Sequence, residues 1–241
     1  MFFSKVLILN DNLYICFRSY NGVKLLLIIN SYVMEIISHR GFWKSENEKN
    51  SIQAFEESFK NNFGTETDLR DYKGKIVISH DIADENCIEA AQFFEIYNSF
   101  PTKPTLALNI KSDGLQKQLA LLLEEHQITN YFTFDMSIPD TLGYLRNDIP
   151  FFSRQSEYEP TPCLMEECDG IWLDCFQSVW FDKSILANYL NNNKKVCLVS
   201  PELHKRDAYE LWELLKKWEL HTAENLILCT DFPDKARMFF E

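Results

Sequence analysis

The stretch SHRGFWKSENEKNSIQAFEESFKNNFGTETDLRDYKGKIVISHD, residues 38–81, carries most of the polar motifs of this chain. Its segments are typical of a strand, a helix and two further strands joined by a tight turn at residues 72–75. Glu66 and Asp68 are two residues apart, so on a strand both carboxylates leave the same face. Two anions on one inward face are costly unless positive charge lies between them. The stretch therefore predicts a divalent-cation site.

The chain beyond this stretch repeats the alternation of strand and helix from residue 34 to its end. Short apolar runs rich in β-branched or aromatic residues alternate with helical periodicity. Eight principal parallel strands are predicted at residues 35–39, 64–69, 105–111, 131–135, 151–154, 171–175, 195–200 and 226–230. This number of strands within residues 34–241 is typical of an α/β protein of the (β/α)8 TIM barrel type. A doubly wound open sheet is the alternative, but no Gly-x-Gly-x-x-Gly follows any strand.

Helical periodicity marks the connections between these strands. In the first predicted helix, residues 51–61, Ile52, Phe55 and Phe59 form one apolar stripe. Residues 87–100 are helical or irregular by pattern. Further helices are predicted at residues 115–126, 139–146, 183–191, 208–218 and 233–240.

Residues 1–33 do not share this pattern. They are apolar, but polar residues interrupt every run before it reaches the ~20 residues that a membrane span requires. The interrupting residues are Asn10, Asp11, Asn12, Arg18 and Asn30. No small-residue cleavage site follows a basic start, which argues against a secretory signal. Because Met34 directly precedes the first convincing strand, we expect residues 1–33 to be a dispensable N-terminal extension of a barrel domain at residues 34–241.

Composition and charge limit the classes of partner. Hydrophobic residues make up 46% of the chain and Phe numbers 19, which is enough for a sizeable core. The formal net charge of -12 argues against nucleic-acid binding and against stable association with anionic membranes. The seven cysteines are odd in number and lie mostly in apolar runs, which favours reduced thiols in a cytoplasmic protein. Cys163 and Cys168 lack a second ligand pair for zinc. The oligomeric state stays open.

Polar residues end almost every predicted strand, and in a parallel barrel such residues gather at one rim. They are His39, Arg40, Glu66, Asp68, Asn109, Lys111, Asp135, Arg154, Asp174, Glu202 and Asp231, with His80 and Asp81 after the strand that follows the tight turn. Arg154 is either a substrate contact or part of a solvated loop. Trp172 is either core packing or a platform for the substrate. His204 follows the seventh strand and is a further candidate for the mouth.

Four ordered motifs resemble the glycerophosphodiester phosphodiesterase family. They are H-R-G at residues 39–41, N-S-x-x-A-F at 50–55, G-x-E-x-D at 64–68 and H-D at 80–81. N-I-K at 109–111 and T-D-x-P at 230–233 extend the resemblance over residues 34–241. The resemblance implies the same barrel, a divalent cation that is usually Mg²⁺ or Ca²⁺, and cleavage of a phosphodiester next to a polyol.

The resemblance also implies roles for individual residues. His39 and His80 would be the general acid/base pair, with the assignment of acid and base left open. Glu66 and Asp68 would hold the cation. Arg40 and Lys111 would contact the phosphate.

Asn109 departs from the family pattern, which usually has a third cation-binding Glu at this position. An amide oxygen still coordinates Mg²⁺ or Ca²⁺, but the site loses one negative charge. Weaker cation affinity, a different substrate or loss of activity would follow. The alternative function is therefore a barrel that binds a phosphorylated ligand without turnover. A phosphatidylinositol-like lipid substrate is a third possibility, which the acidic balance of the chain counts against.

Overall fold

The computed structural model describes residues 5–10, 13–20, 23–30 and 33–241. Its first three strands pair in order as an antiparallel sheet: β1 (Lys5–Asn10), β2 (Leu13–Tyr20) and β3 (Val23–Asn30). Among the described residues this sheet shares no strand pairing with the strands that follow. Asp11 and Asn12, two of the residues predicted to interrupt the apolar runs, lie outside the described residues. That residues 1–33 are dispensable stays a prediction.

Eight parallel strands form the centre of the molecule, and each overlaps one of the predicted strands. They are β4 (Glu35–His39), β5 (Gly64–Tyr72), β8 (Leu106–Ile110), β9 (Tyr131–Phe134), β10 (Phe152–Gln155), β11 (Gly170–Leu173), β12 (Lys195–Val199) and β13 (Leu226–Thr230). The last strand, β13, pairs in parallel with the first, β4. This neighbourhood of first and last strands is the arrangement of a barrel, and it excludes the doubly wound alternative.

The barrel closes between β9 and β10 through a single parallel bridge, Thr133 to Phe151. The Thr133 backbone N–H donates to the Pro150 carbonyl at 2.9 Å, and its hydroxyl donates to the same oxygen at 3.0 Å. The predicted (β/α)8 architecture is therefore confirmed, with its shortest seam at this point.

A hairpin projects from the second barrel strand. β5 runs past the barrel to Tyr72 and returns as β6 (Lys75–Ile78), and the short β7 (Ile88–Glu89) pairs with β6. The two turn residues, Lys73 and Gly74, have φ of 47° and 79°, as a type I′ hairpin turn requires. The hairpin leads His80 and Asp81 back toward the carboxyl end of β5, where the Ser79 N–H donates to the Asp68 carbonyl at 3.0 Å.

Seven helices connect the strands in the described part of the chain. They are α1 (Ile52–Lys60), α2 (Ala90–Ser99), α3 (Gln116–Glu125), α4 (Ile138–Arg146), α5 (Lys183–Asn191), α6 (Tyr209–Trp218) and α7 (Pro233–Phe240). The predicted helices are confirmed to within two residues at each end, and residues 87–100 resolve into β7 and α2. None of the described helices exceeds ten residues, so none has the length and apolar character needed to cross a bilayer.

The apolar core has an inner and an outer part. The inner part fills the barrel, and the outer part packs the helices against the strands. Residues that point inward alternate along each strand, as the pleat requires. The inner residues are Ile37, Ala107, Phe132, Phe134, Phe152, Trp172, Cys197, Val199, Ile227 and Cys229. They form a packed floor inside the barrel. The carboxyl ends of the strands lie above this floor, and we call them the rim.

Candidate active site

The turn after β4 explains the H-R-G motif. Arg40 and Gly41 have φ of 58° and 87°, so two successive residues are left-handed. The Arg40 N–H donates to the Glu66 carbonyl and the Gly41 N–H to the Thr65 hydroxyl, both at 3.0 Å. A Cβ atom on Gly41 would lie 2.6 Å from the Ala54 Cβ atom of α1, so only glycine fits. The turn directs the Arg40 side chain to Asp68.

Asn50, in the second motif, braces the same carboxylate. Its amide nitrogen donates to Asp68 Oδ2 at 2.8 Å, and its amide oxygen accepts from the Thr67 hydroxyl at 2.9 Å. These two partners determine the orientation of the amide. The next residue, Ser51, caps α1 by accepting a hydrogen bond from the Ala54 N–H at 3.2 Å. The motif therefore joins the start of α1 to the centre of the rim.

Three oxygen donors meet at the carboxyl ends of β5 and β8. Glu66, Asp68 and Asn109 are 2%, 0% and 7% exposed, and Asp68 lies opposite Asn109 in the strand register. One oxygen of each side chain is buried and accepts no hydrogen bond: Glu66 Oε2, Asp68 Oδ1 and Asn109 Oδ1. Buried polar atoms are rarely left without a partner, and each such atom costs free energy. These three atoms are therefore candidate ligands of a cation.

The donor set fits Mg²⁺ or Ca²⁺, which prefer carboxylate and amide oxygens. Within the described residues no three His, Cys, Asp or Glu side chains converge as a metal site, so the third protein oxygen would come from Asn109. Two side-chain cations also face Asp68. Arg40 Nε lies 3.0 Å from Asp68 Oδ2, and Lys111 Nζ lies 3.4 Å from Asp68 Oδ1. The buried carboxylate of Asp68 is thus charge-compensated by the protein itself.

Glu66 lacks an equivalent compensation. Burial, and next the negative charge of Asp68, raise the pKa of Glu66 to about 8, although Arg40 and Lys111 oppose the change. Without additional positive charge the Glu66 carboxyl therefore keeps its proton at neutral pH. Any divalent cation bound here would have to displace that proton.

His39 stands beside Glu66 in the barrel, since the two residues are opposite each other in the register of β4 and β5. Its Nδ1 lies 2.7 Å from Asp231 Oδ1, and its Nε2 lies 3.9 Å from Glu66 Oε2. Burial lowers the pKa of His39, while the hydrogen bond and charge of Asp231 act in the opposite direction. A neutral imidazole that donates Nδ1–H to Asp231 presents an unprotonated Nε2 to the cation site.

Asp231 is a residue whose role the sequence did not predict, although it belongs to the T-D-x-P motif. It directly follows β13, the strand next to β4, and that neighbourhood exists only in the closed barrel. Its backbone N–H donates to Glu202 Oε1 at 3.0 Å, and Lys49 Nζ lies 3.7 Å from its carboxylate. Burial raises the pKa of Glu202. Asp231 thus sets the orientation of the His39 ring.

His80 lies on the hairpin side of the site. Its Nδ1 is 2.9 Å from Asp81 Oδ1, and its side chain is 44% exposed. His80 and Arg40 line one open cavity of about 430 Å³, together with Lys49, Asn50, Ser51, Ile78, Ser79, Asp81, Asp84, Asn86, Cys87 and Ile88. His39 does not line this cavity. Arg40 lines it and also contacts Asp68, so this side chain lies between the cavity and Asp68. The structure thus places His80, but not His39, in this cavity, and the catalytic roles of both stay predictions.

The remaining substrate candidates lie farther along the rim. Lys111 Nζ is 3.8 Å from Asp135 Oδ2, and Arg154 donates to Asp135 Oδ1 at 2.8 Å and also pairs with Glu159. Trp172 is 5% exposed and stacks on Phe134, with ring centroids 3.8 Å apart. The structure thus places Arg154 between two carboxylates and Trp172 in the packed interior below the rim, which corresponds to the core-packing interpretation.

Three solved structures share this architecture. A protein from Galdieria sulphuraria, assigned as a glycerophosphodiester phosphodiesterase, is 17% identical with a TM-score of 0.69 over 87% of this chain and 98% of its own. The glycerophosphodiester phosphodiesterase of Agrobacterium tumefaciens is 13% identical with a TM-score of 0.61 over 83% and 97%. The glycerophosphoryl diester phosphodiesterase of Parabacteroides distasonis is 12% identical with a TM-score of 0.62 over 87% and 86%.

These structural similarities establish the fold, but at these sequence identities they do not establish the activity. No family model matches the chain, and no curated protein matches it. The same barrel also resembles the alpha subunit of tryptophan synthase from Campylobacter jejuni, at 12% identity and a TM-score of 0.51 over 85% of this chain and 90% of that one. Because one barrel carries many reactions, the function has to be argued from the side chains at the rim.

Proposed function

We propose that this barrel is a divalent-cation-dependent phosphodiesterase that cleaves a glycerophosphodiester or a related polyol or sugar phosphodiester. One observation carries the proposal: the His39 imidazole, 13% exposed, places Nε2 3.9 Å from Glu66 Oε2, one of three buried oxygens that lack hydrogen-bond partners. It does so at the rim of a barrel whose structural neighbours are glycerophosphodiester phosphodiesterases. Nucleophile activation and charge compensation are the two requirements of phosphoryl transfer.

The phosphate would be bound by the two cations that face Asp68. Arg40 offers a planar fork to two phosphoryl oxygens, and Lys111 offers a point charge. Asp68 and Asn50 hold the Arg40 side chain and its turn in place. A divalent cation held by Glu66, Asp68 and Asn109 would polarise the phosphoryl group and offset the charge that develops on its oxygens.

The two histidines would divide the proton transfers. His39 Nε2 takes the proton of the attacking hydroxyl, whose oxygen forms the new bond to phosphorus. We assign the base to His39 because burial lowers its pKa and Asp231 holds its other nitrogen. As the phosphorus–oxygen bond to the leaving alcohol breaks, His80 donates a proton to the departing oxygen. If the attacking hydroxyl belongs to the polyol of the substrate, the product is a cyclic phosphate.

The test is a panel of phosphodiesters assayed with Mg²⁺, Ca²⁺ and chelator, with products identified by phosphorus NMR. We expect release of glycerol phosphate or a cyclic phosphate only with a cation, and loss of turnover by at least ~10²-fold in His39→Ala and His80→Ala. His126→Ala is the matched control. His126 lies at the C-terminus of α3, away from the rim, and its ring contacts Phe94 of α2. Full turnover in the chelator would contradict the cation requirement.

A second candidate function is a barrel that binds a phosphorylated ligand without cleaving it. Asn109 favours it, because the amide removes one negative charge from the cation site. In this case glycerol phosphate would bind in calorimetry with an affinity that depends on Arg40 and Lys111. No diester would be cleaved with any divalent cation. Turnover of any diester that His39→Ala abolishes would exclude this second function.

A further inference from the structure

A second histidine–carboxylate pair lies at the rim, on residues that the proposed chemistry does not use. His204 Nε2 is 2.6 Å from Asp174 Oδ1. Asp174 follows β11 and is 6% exposed, whereas the His204 side chain is 21% exposed. Asp174 Oδ1 also accepts the Cys175 N–H at 2.8 Å, which limits the directions the carboxyl group can take. The geometry is therefore a buried carboxylate that holds a partly exposed imidazole.

The short helix that carries His204 bends over the mouth of the barrel. It comprises Pro201–His204 and follows β12 directly. Its consecutive side chains reach three different places. Glu202 accepts from the Asp231 N–H, Leu203 packs on the apolar floor inside the barrel, and His204 meets Asp174. His204 thus belongs to the mouth, although its sequence neighbours form a connection to α6.

Asp174 and the cation site stand on opposite walls. In the order β4, β5, β8, β9, β10, β11, β12, β13, strand β11 lies four strands from β5 in either direction. Asp174 lies two residues beyond Trp172, and Glu66 lies opposite Ala107 in the strand register; Trp172 and Ala107 both belong to the inner core. Glu66 and Asp174 therefore face the same interior space. The apolar floor fills the barrel below them, so a small ligand would lie above it, at the rim.

The second nitrogen of the His204 ring is available to that ligand. With Nε2–H donated to Asp174, Nδ1 carries a lone pair, and it has no hydrogen-bond partner among the described residues. The adjacent Phe176 ring, 4.5 Å away between centroids, limits the directions the imidazole can take. An oriented acceptor in this place fits a hydroxyl donor that extends from a phosphate bound on the opposite wall.

We propose that His204, oriented by Asp174, accepts a hydrogen bond from the terminal hydroxyl of the polyol, the one not adjacent to the phosphate-bearing carbon. This inference rests on the proposed function for the position of the phosphate. It makes His204 a specificity-determining residue that selects polyols over shorter or deoxygenated alcohols. A site built to bind a hydroxyl discriminates against analogues that lack it, because its polar group is then left unpaired.

The test compares two ligands that differ only in this hydroxyl, glycerol 3-phosphate and propane-1,2-diol 1-phosphate. We expect calorimetry with the wild-type chain to give about tenfold tighter binding of glycerol 3-phosphate. His204→Ala should remove this preference, and its affinity for the propanediol compound should be unchanged. Asp174→Asn should reduce the preference by altering the ring orientation, and His204→Gln should restore part of it by supplying an oxygen acceptor.

Two further measurements distinguish the hydroxyl contact of His204 from the proposed phosphodiesterase activity. The nitrogen NMR signal of His204 Nδ1 should shift with glycerol 3-phosphate and stay in place with the propanediol compound. If both compounds bind but no diester is cleaved, the phosphodiesterase fails and the His204 result still stands. Equal loss of both affinities in His204→Ala would mark a purely structural residue and overturn the inference. So would the absence of any binding to the wild-type chain.

Discussion

At the residue scale, Glu66 is the candidate site residue whose ionised form is most disfavoured by burial. Arg40 and Lys111 compensate Asp68, whereas Glu66 is buried beside that carboxylate with one oxygen that accepts no hydrogen bond. The folded protein consequently holds a proton that the unfolded chain releases above the ordinary Glu pKa of 4.5. Residues that perform chemistry are often the ones whose environment disfavours their charge.

This cost predicts a pH-dependent gain in stability for Glu66→Gln. The contribution of Glu66 is complete below about pH 4.5 and is lost as the pH rises toward 8, because only the folded state keeps the proton. In chelator, the variant should match the wild type in thermal unfolding at pH 4.5 and exceed it by a few kcal/mol at pH 8. Glu56→Gln, on the exposed side of α1, is the matched control and should change neither value. A variant less stable than the wild type at pH 8 would contradict this account.

Asp231→Asn should separate positioning from binding. The amide no longer fixes the His39 tautomer, so we expect kcat to fall by about 10²- to 10⁴-fold with little change in KM. Because Asp231 raises the pKa of His39, its removal should also move the acidic limb of the pH profile to lower pH. Steady-state kinetics across pH provide the measurement, with exposed Asp234→Asn as control. An unmoved limb would show that His39 is not the titrating base.

Asn109→Glu should add a third carboxyl group to the candidate cation site. We expect Mg²⁺ and Ca²⁺ to bind several-fold more tightly in a calorimetric titration, because ligand charge raises the affinity for hard cations. In chelator the same variant should be less stable, since another buried carboxyl joins Glu66 and the negative charge of Asp68. Asn188→Glu, on the exposed face of α5, should alter neither property. An unchanged titration would remove Asn109 from the coordination shell.

At the element scale, the site depends on the junction of β4, α1 and β5. Gly41 lies against Ala54 of α1, and the Asn50 amide connects the start of that helix to Asp68. The apolar stripe of α1 then buries Phe55 and Phe59 against the barrel. One short helix thereby connects the apolar core to the turn that holds Arg40, the candidate phosphate contact.

Gly41→Ala should disturb this junction more than a glycine substitution elsewhere. Alanine at this position would be strained by the positive φ and by a Cβ atom 2.6 Å from Ala54 Cβ. We therefore expect the free energy of unfolding, measured in urea, to fall by ~2–4 kcal/mol. Gly74→Ala is a matched control, because φ is also positive there but no atom lies within 4 Å of the added Cβ atom. It should lose only ~1 kcal/mol. Equal losses would mean that the contact with α1 is unimportant.

At the scale of the whole molecule, closure brings the first and last strands together. Asp231 at the end of β13 reaches His39 at the end of β4, although the two residues are 192 positions apart in the sequence. Hydrogen bonds also hold the residues at the start of the first barrel strand, β4. Glu35 holds the Thr105 N–H and hydroxyl at 2.8 and 2.7 Å, and the buried Met34 donates its N–H to the His221 carbonyl. These contacts hold the beginning of the first barrel strand, β4, in place.

A fragment from Met34 to Glu241 should therefore fold on its own. It keeps the eight barrel strands and all of the described helices, so we expect cooperative unfolding and circular dichroism typical of an α/β barrel. A fragment beginning at Ile37 is the control, because it loses Met34 and the first two residues of β4, Glu35 and Ile36, and should not fold cooperatively. Failure of the longer fragment would show that the residues before Met34 are required.

The sequence by itself determined the order and type of the elements and the polar residues at their ends. Periodicity is a local property, so eight strands, the tight turn and the first helix could be predicted from neighbouring residues. The motif spacing likewise pointed to Glu66 and Asp68 on one face. Only the tertiary structure decided which ends meet: Asp231 with His39, His204 with Asp174, and Arg154 with Asp135. Burial, too, is decided only there, and it placed Trp172 in the core and raised the pKa of Glu66. The physical reason is that contact and desolvation depend on distances in space, which barrel closure creates between residues far apart in the chain.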